Sequence, residues 1–287
     1  MVDGHPTVRE AVARAATRLQ QYDTPEAQRV AELLASHVVG LPRLELYANP
    51  GLSLNEAGED VFQNGVERLV AGEPLQYVTA ETEFRGHRIM CDRRALIPRP
   101  ETEELVEAVL DDEHVWSKPS PEILDIGTGS GCIAISLALA YPTARVTAID
   151  VSSDALVLAA ANASRLGCAD RIEFIVGDLQ ATDGPFDLMV SNPPYIPAAE
   201  VAQLDPHIRE HEPRVALDGG TDGLRVIETI AASAPERLAP GAPIHLEIGD
   251  GQAARVMECL QRNGFGKLSS RNDLCGRERM VRGERAP

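Results

Sequence analysis

The chain has 287 residues, which at roughly 150 residues per domain suggests about two domains. Its 44% hydrophobic and 25% charged residues are those of an ordinary globular protein, and no apolar run nears the roughly 18 residues of a membrane span, so no membrane partner is expected. Forty-four acidic residues against 27 basic give a net charge of −17. Nucleic-acid binders gain most of their affinity by neutralising phosphates, so direct nucleic-acid binding is not expected here. The balance is −5 over residues 1–75, +2 over 76–100 and −14 over 101–287, and only Lys118 and Lys267 are lysines. Adaptation to a salt-rich cytoplasm and arginine-favouring GC-rich coding both explain that pattern. Cys91, Cys132, Cys168, Cys259 and Cys275 form no CxxC pair, as suits reduced thiols in the cytoplasm. Met1–Pro6 lacks a basic start and an apolar core, so no secretory signal is expected.

Residues 1–75 read as a helical domain. Thr7-Val8-Arg9-Glu10 is a capping box followed by Val8, Val12, Ala15 and Leu19 at helical spacing. Thr24-Pro25 reads as an N-cap with proline in the first turn, before a stripe of Ala27, Val30, Leu34 and Val38 that stops at Gly40. Ser53-Leu54-Asn55-Glu56 reads as a second capping box, starting a helix through Val61, Val66 and Leu69 to Gly72. Residues 76–100 form a connector, with a hairpin expected around Glu83–Ile89 and a non-helical Leu96–Pro100; a helix resumes over Glu101–Leu110.

From about residue 120 the apolar runs Ile123–Ile126, Val146–Ile149, Ile172–Val176, Leu188–Val190 and Ile244–Ile248 alternate with helical patterns such as Ala155–Leu166 and Gln252–Gln261. That alternation predicts a largely parallel sheet wrapped by helices, an α/β domain over 101–287, with ligands beyond the carboxyl ends of the strands.

Three features fall at those ends. Asp125-Ile126-Gly127-Thr128-Gly129-Ser130-Gly131 runs from the first strand into the helix Cys132–Ala140. Its glycines permit a tight turn and close approach of a ligand, although a purely structural turn is the alternative. The GxGxG spacing differs from the dinucleotide GxGxxG, and no Gly-Lys-Ser/Thr follows. Asp150 closes the second strand, where a carboxylate can accept both hydroxyls of a ribose. Asp178 follows the third, within reach of an adenine amino group, with Leu179 next to it. Together these resemble the cofactor site of class I S-adenosylmethionine methyltransferases.

After the fourth strand comes Asn192-Pro193-Pro194-Tyr195. The side-chain oxygen of Asn192 and the carbonyl of Pro193 can accept both hydrogens of a planar NH2, and Tyr195 offers a flat face. A rigid turn with a packed tyrosine is the bland alternative. His207 and His211 are four apart but lack an HExxH glutamate, so no metal is expected and they read as surface histidines.

The NPPY element and the glycine loop resemble the amino-group methyltransferases, and further stretches narrow the likeness. Leu96–Glu103 resembles the IPRPETE segment of the HemK/PrmC family, and Glu212–Leu224 its segment after NPPY. Glu73–Tyr77 and Asp273–Arg279 resemble its interdomain and C-terminal patterns more loosely. The resemblance spans residues 7–283. It implies a Rossmann-like, mostly parallel seven-stranded sheet with a small helical N-terminal domain that recognises substrate. It implies S-adenosyl-L-methionine as donor, S-adenosyl-L-homocysteine as product, and the glutamine side-chain nitrogen in the GGQ motif of class 1 peptide chain release factors as acceptor. By the same resemblance Gly127, Thr128, Gly129, Ser130, Gly131, Asp150, Asp178, Leu179 and Asn192 line the cofactor site. Asn192, Pro193, Pro194 and Tyr195 hold the glutamine, with Asn192, Pro193 and Tyr195 catalytic, and the enzyme acts as a cytoplasmic monomer. Leu179 stands where related enzymes often have an aromatic. The alternatives are a ribosomal-protein glutamine methyltransferase, whose segment before the core lacks the Arg-Pro-Glu-Thr-Glu run, and an amino-group methyltransferase acting on nucleic acid.

Overall fold

A computed structural model describes residues 6–287; Met1–His5, part of the segment read for a secretory signal, lie outside the described residues. The chain divides into two compact units, one running to Glu81 together with Pro206–His211, the other comprising Thr82–Asp205 and Glu212–Pro287.

The first unit holds α1 (Val8–Gln21), α2 (Ala27–Val39), α3 (Arg43–Ala48), α4 (Glu56–Val70) and α5 (Leu75–Val78). The expected capping box closes α1: Thr7 Oγ1 accepts from Glu10 N at 3.2 Å, and Glu10 Oε2 accepts from Thr7 N at 2.9 Å. Val8, Ala11, Val12, Ala15 and Leu19 pack with Ala31, Leu34, Phe62, Val66 and Leu69 into one core. Three local expectations need correction. Thr24 does not cap α2, because the helix starts only after Glu26, whose φ is +49°, while the Thr24 N–H donates to Leu19 O at the end of α1. The cap of α4 is Asn55, which accepts from Gly58 N at 2.8 Å, while Ser53 bridges to Thr7. Phe62 rather than Val61 lies on the buried face of α4, and Val61 is exposed.

The second unit opens with the hairpin β1 (Glu81–Phe84) and β2 (His87–Met90). Its turn residues Arg85 and Gly86 both have positive φ, the backbone of a tight two-residue hairpin. Helices α6 (Pro100–Leu110), α7 (Glu113–Trp116), α8 (Cys132–Ala140) and α9 (Ser153–Arg165) follow, interleaved with β3 (Glu122–Ile126), β4 (Arg145–Asp150) and β5 (Ile172–Val176). Then come β6 (Leu188–Ser191), α10 (Ala198–Val201), α11 (Pro206–Arg209, in the first unit), α12 (Arg225–Ser233), β7 (Pro243–Glu247), α13 (Ala253–Arg262), β8 (Phe265–Asn272) and β9 (Glu278–Arg285).

Seven strands form one sheet in the order β5-β4-β3-β6-β7-β9-β8. The first five are parallel and β9 is antiparallel to both neighbours. Alternation along the strands sorts the core into two layers. Ile123, Leu188 and Val190 join the cluster containing α6 and α8, whereas Leu124, Ile126 and Met189 join that of α12 and α13. Strand order reverses between β3 and β6, which places the loops after both strands at the crevice where such sheets bind ligands. The final hairpin, absent from the expected elements, is strongly polar, and β8 is a largely exposed edge.

Candidate active site

A cavity of about 310 Å³ opens beyond the carboxyl ends of β3, β4, β5 and β6. Gly127, Thr128, Gly129, Ser130, Asp150, Asp178, Leu179, Asn192 and Pro194 all line it, so most of the expected cofactor residues converge. Gly131 does not. A Cβ there would sit 3.0 Å from Ala159 Cβ, so this glycine, at φ +82°, lets α8 start close against α9. Pro193 and Tyr195 also lie off the cavity wall.

The loop after β3 spends its own donors. Gly127 N and Thr128 N both donate to Ile149 O, Gly131 N to Thr128 O, and Gly129 N to Asp150 Oδ2 at 2.9 Å. Ser152 N donates to the other Asp150 oxygen, also at 2.9 Å. At the start of α8 the buried Asp125 Oδ2 accepts from Ala134 N and Thr128 Oγ1, and burial pushes that carboxyl up to about 7. A phosphate needs free N–H groups at such a helix start. Here Gly127, Thr128, Gly129, Gly131 and Ala134 already donate theirs within the protein, and two carboxyls flank the loop. Each Asp150 oxygen keeps a lone pair for a ribose hydroxyl, Leu179 is buried in the wall, and Asp178 Oδ1 accepts from Gln180 N. A loop flanked by carboxyls suits a cationic adenosyl ligand better than a pyrophosphate. Asn162, fully buried, bonds both Met90 backbone groups and Ser130 O, and so ties β2 to this loop.

The opposite wall comes from the two further segments of the resemblance. Ile97, Pro98, Arg99 and Thr102 line the cavity together with Pro213, Val215 and Ala216. Glu212, nearly inaccessible, joins them by pairing with Arg99 and accepting from Ile97 N. The stretch after NPPY straps that element in place. Ile196 N donates to Leu217 O, Gly219 N to Ile196 O, and Ala198 N to Gly220 O. A Cβ at Gly219 would come within 2.7 Å of Pro194 O, and one at Gly223 within 2.3 Å of Tyr195 O, which explains glycine at both positions. Gln252 Nε2 donates to Tyr195 O.

Asn192 Nδ2 donates to Thr102 Oγ1 at 2.9 Å, and among the described residues no hydrogen bond reaches Asn192 Oδ1 or the Pro193 carbonyl. Thr102 Oγ1 in turn donates to Glu247 Oε2 at 2.7 Å, and the Tyr195 hydroxyl donates to Glu247 Oε1 at 3.2 Å. Glu247 is wholly buried, and burial pushes its carboxyl up to about 7. Burial also raises the Tyr195 phenol, which therefore stays protonated and donates. The Arg279 guanidinium lies 5.9 Å from the Tyr195 ring centroid and pairs with Asp273. Thr102, Glu247 and Arg279 were not singled out from the sequence. Their available signals were a threonine within the IPRPETE-like run and a carboxylate at the end of the β7 run Pro-Ile-His-Leu-Glu.

Residues 10–79 match the PrmC N-terminal domain family, and residues 103–208 match the methyltransferase small domain family. A release factor glutamine methyltransferase from Deinococcus radiodurans is 40% identical over 280 residues, covering 97% of this chain and 99% of the relative. The chain belongs to the release factor glutamine methyltransferases. A second member, from Chlorobaculum tepidum, is 44% identical over 244 residues, covering 82% of this chain and 83% of the relative. A crystal structure of a methyltransferase from Pyrococcus furiosus shares the fold, with a TM-score of 0.54, 17% identity and coverage of 71% of this chain and 91% of that one. This methyltransferase is S-adenosylmethionine-dependent, and the cavity's donors suit that cofactor. Among the described residues no group of three or more His, Cys, Asp or Glu is placed to hold a metal ion. His207 and His211 are half-buried rather than surface residues, and His207 Nδ1 lies 2.7 Å from Gly72 O. No helix among the described residues is long and apolar enough to cross a membrane.

Proposed function

We propose that this methyltransferase transfers a methyl group from S-adenosylmethionine to the side-chain nitrogen of the glutamine in the GGQ motif of class 1 release factors, in the cytoplasm. The observation that carries this reading is Asn192, held at the cavity wall by its nitrogen with its oxygen left as an acceptor. The likeness along nearly the whole chain to a release factor glutamine methyltransferase supports the substrate.

When bound, S-adenosylmethionine supplies a methyl group already activated by its sulfonium charge. Asp150 holds ribose hydroxyls while its own position is set by Gly129 N and Ser152 N. Leu179 packs on the adenine, and Asp178 lies at the rim where the adenine amino group is met. Asn192 Oδ1 and the Pro193 carbonyl accept the two amide hydrogens, so the nitrogen faces the cofactor in an attack geometry. Positive charge grows on that nitrogen during transfer, and the same two oxygens stabilise it, an effect commonly worth roughly 100-fold or more in rate. Tyr195 and Pro194 flank the amide plane. No strong base is required, because the amide proton becomes acidic only as the new bond forms.

The helical unit recognises the protein substrate and contributes nothing to the chemistry. Leu44 and Tyr47, exposed on α3, are the apolar side chains to test. Replacing both by glutamate should leave cofactor affinity unchanged and slow methylation of intact release factor; methylation at the normal rate would separate this unit from recognition.

The assignment is tested by incubating the protein with labelled S-adenosylmethionine and, in parallel, purified release factors, ribosomal proteins and nucleic acid. Label entering a class 1 release factor alone supports it. Label entering a ribosomal protein or nucleic acid instead replaces it with one of the alternatives.

A further inference from the structure

We infer that Glu247, acting through Thr102, is a positioning residue that sets which end of the Asn192 amide faces the substrate, and thereby makes the site select an amide NH2 over a carboxylate. The inference rests on the glutamine-methylation reading and extends it to residues on α6 and β7.

The argument is one of proton direction. An asparagine amide carries an acceptor at one end and two donors at the other, and turning it over exchanges them without changing its shape. Whether Asn192 presents oxygen or NH2 therefore depends on its anchor. A threonine hydroxyl serves as anchor for either end, because it donates one proton and accepts others. Thr102 has no such freedom. Its Oγ1 lies 2.7 Å from Glu247 Oε2, and above about pH 7 that carboxylate is ionised and only accepts, so the hydroxyl proton must then point to Glu247. Only lone pairs remain toward Asn192, so the asparagine must offer its NH2, as the 2.9 Å contact from Nδ2 shows. Oδ1 is then turned to the substrate side. The other oxygen of Glu247 accepts from the Tyr195 hydroxyl, so one carboxylate orients both side chains of the NPPY element.

The consequence is specificity. On the glutamine-methylation reading, Asn192 Oδ1 and the Pro193 carbonyl are the pair of acceptors, which a glutamine NH2 satisfies and a glutamate carboxylate cannot. Burial strengthens the discrimination, since Thr102 and Glu247 are 2% and 0% exposed and water has little access to relax the chain of bonds. Replacing Glu247 by glutamine keeps the shape but provides an NH2 able to donate to Thr102. The hydroxyl proton is then free to turn toward Asn192, whose amide turns over and shows its own NH2 to the substrate.

Three variants, Glu247→Gln, Thr102→Val and Thr102→Ser, are compared with the wild type at about pH 8. The measurements are methyl transfer to a release factor, binding of that factor and of its GGQ-to-GGE version, and cofactor affinity. Glu247→Gln and Thr102→Val should lose roughly tenfold or more in kcat, the scale of one misplaced hydrogen-bonding group, with cofactor Kd changed less than about twofold. Thr102→Ser, which keeps the hydroxyl, should recover to within about threefold of wild type. Glu247→Gln should also narrow the binding preference for GGQ over GGE, which a merely structural role would leave unchanged. A substrate-independent arm records the side-chain NH2 signals of Asn192 by NMR. In the wild type they should show cross-peaks to the Thr102 methyl group, and these should vanish in Glu247→Gln. Their absence from the folded wild type, or wild-type kcat and wild-type GGQ preference in Glu247→Gln, would overturn the inference. If the wild type leaves release factors unmodified while the NMR contacts and their loss occur as stated, the orientation by Glu247 is supported and the substrate assignment alone falls.

Discussion

Replacing Asp150 by alanine removes the side chain that links the glycine loop to the end of β4 and that is proposed to hold the cofactor ribose. Its two oxygens already accept Gly129 N and Ser152 N at 2.9 Å each, and this leaves one lone-pair direction per oxygen for a ribose hydroxyl. A hydrogen bond to a charged group contributes about 1.5–3 kcal/mol. The site is only half-buried, and water entering the vacated space serves the two released N–H groups and part of the ribose. The net loss should therefore be about 1.5–3 kcal/mol in total rather than for each bond, a rise in Kd of roughly 10- to 150-fold. Calorimetric titration with S-adenosylmethionine and with S-adenosylhomocysteine checks this, since both carry the same ribose and should weaken alike. Asp150→Asn, which keeps one acceptor oxygen, should fall between wild type and alanine. An unchanged Kd for both ligands in a folded Asp150→Ala protein would show that the ribose is held elsewhere.

Asn192→Ala should lower kcat by roughly 100-fold or more while leaving cofactor affinity nearly unchanged, as single-turnover kinetics and titration will show. Burial raises the carboxyls of both Asp125 and Glu247 to about 7. Each then adds stability that is complete below its unfolded pKa and lost as pH rises through about 7, so the melting temperature should climb as pH falls from about 8 to about 6. The gain is about 1 kcal/mol for each group, and Glu247→Gln should show a smaller climb. The groups facing Glu247 are Thr102, Tyr195, Arg279 and Glu101, and its protonation below about pH 7 frees Thr102, so kcat should fall on the acid side in wild type and lose that limb in Glu247→Gln. With −14 carried by residues 101–287, salt from 0.1 to 2 M potassium chloride should raise the melting temperature by screening carboxylate repulsion; a flat curve would favour arginine-rich coding as the origin of the composition.

What could be read in the sequence was whatever short-range order encodes. The parallel strands β3 to β7 announced themselves as apolar runs, and α8 matched its expected span of Cys132–Ala140 because it follows a glycine loop and is apolar throughout. Asp150 was visible because it closes a strand and Asn192 because it directly follows one. Thr102 and Glu247 were not, since 145 positions separate them and only the packing of α6 on β7 brings them together. The caps of α2 and α4 were misplaced for a related reason. Thr24 and Ser53 have the right chemistry, but α2 starts only after Glu26 and α4 only after Asn55, with Ser53 held in a bridge to Thr7. β8 escaped because this exposed edge strand carries Lys267, Ser269, Ser270 and Arg271 instead of an apolar run, and β9 because Met280 and Val281 are its sole apolar pair among charged residues. Gly131 shows the converse: the motif marked it as a ligand contact, while its surroundings assign it to the packing of α8 on α9.

The central claim is tested most directly by peptide mapping of a purified class 1 release factor after incubation with this enzyme and S-adenosylmethionine, with Asn192→Ala as the control. The GGQ-bearing peptide should gain the mass of one methyl substitution, fragment ions should place it on the glutamine side chain, and the control should leave that peptide unmodified. An unmodified GGQ peptide from the wild-type reaction, with methyl groups found on another residue or another macromolecule, would contradict it.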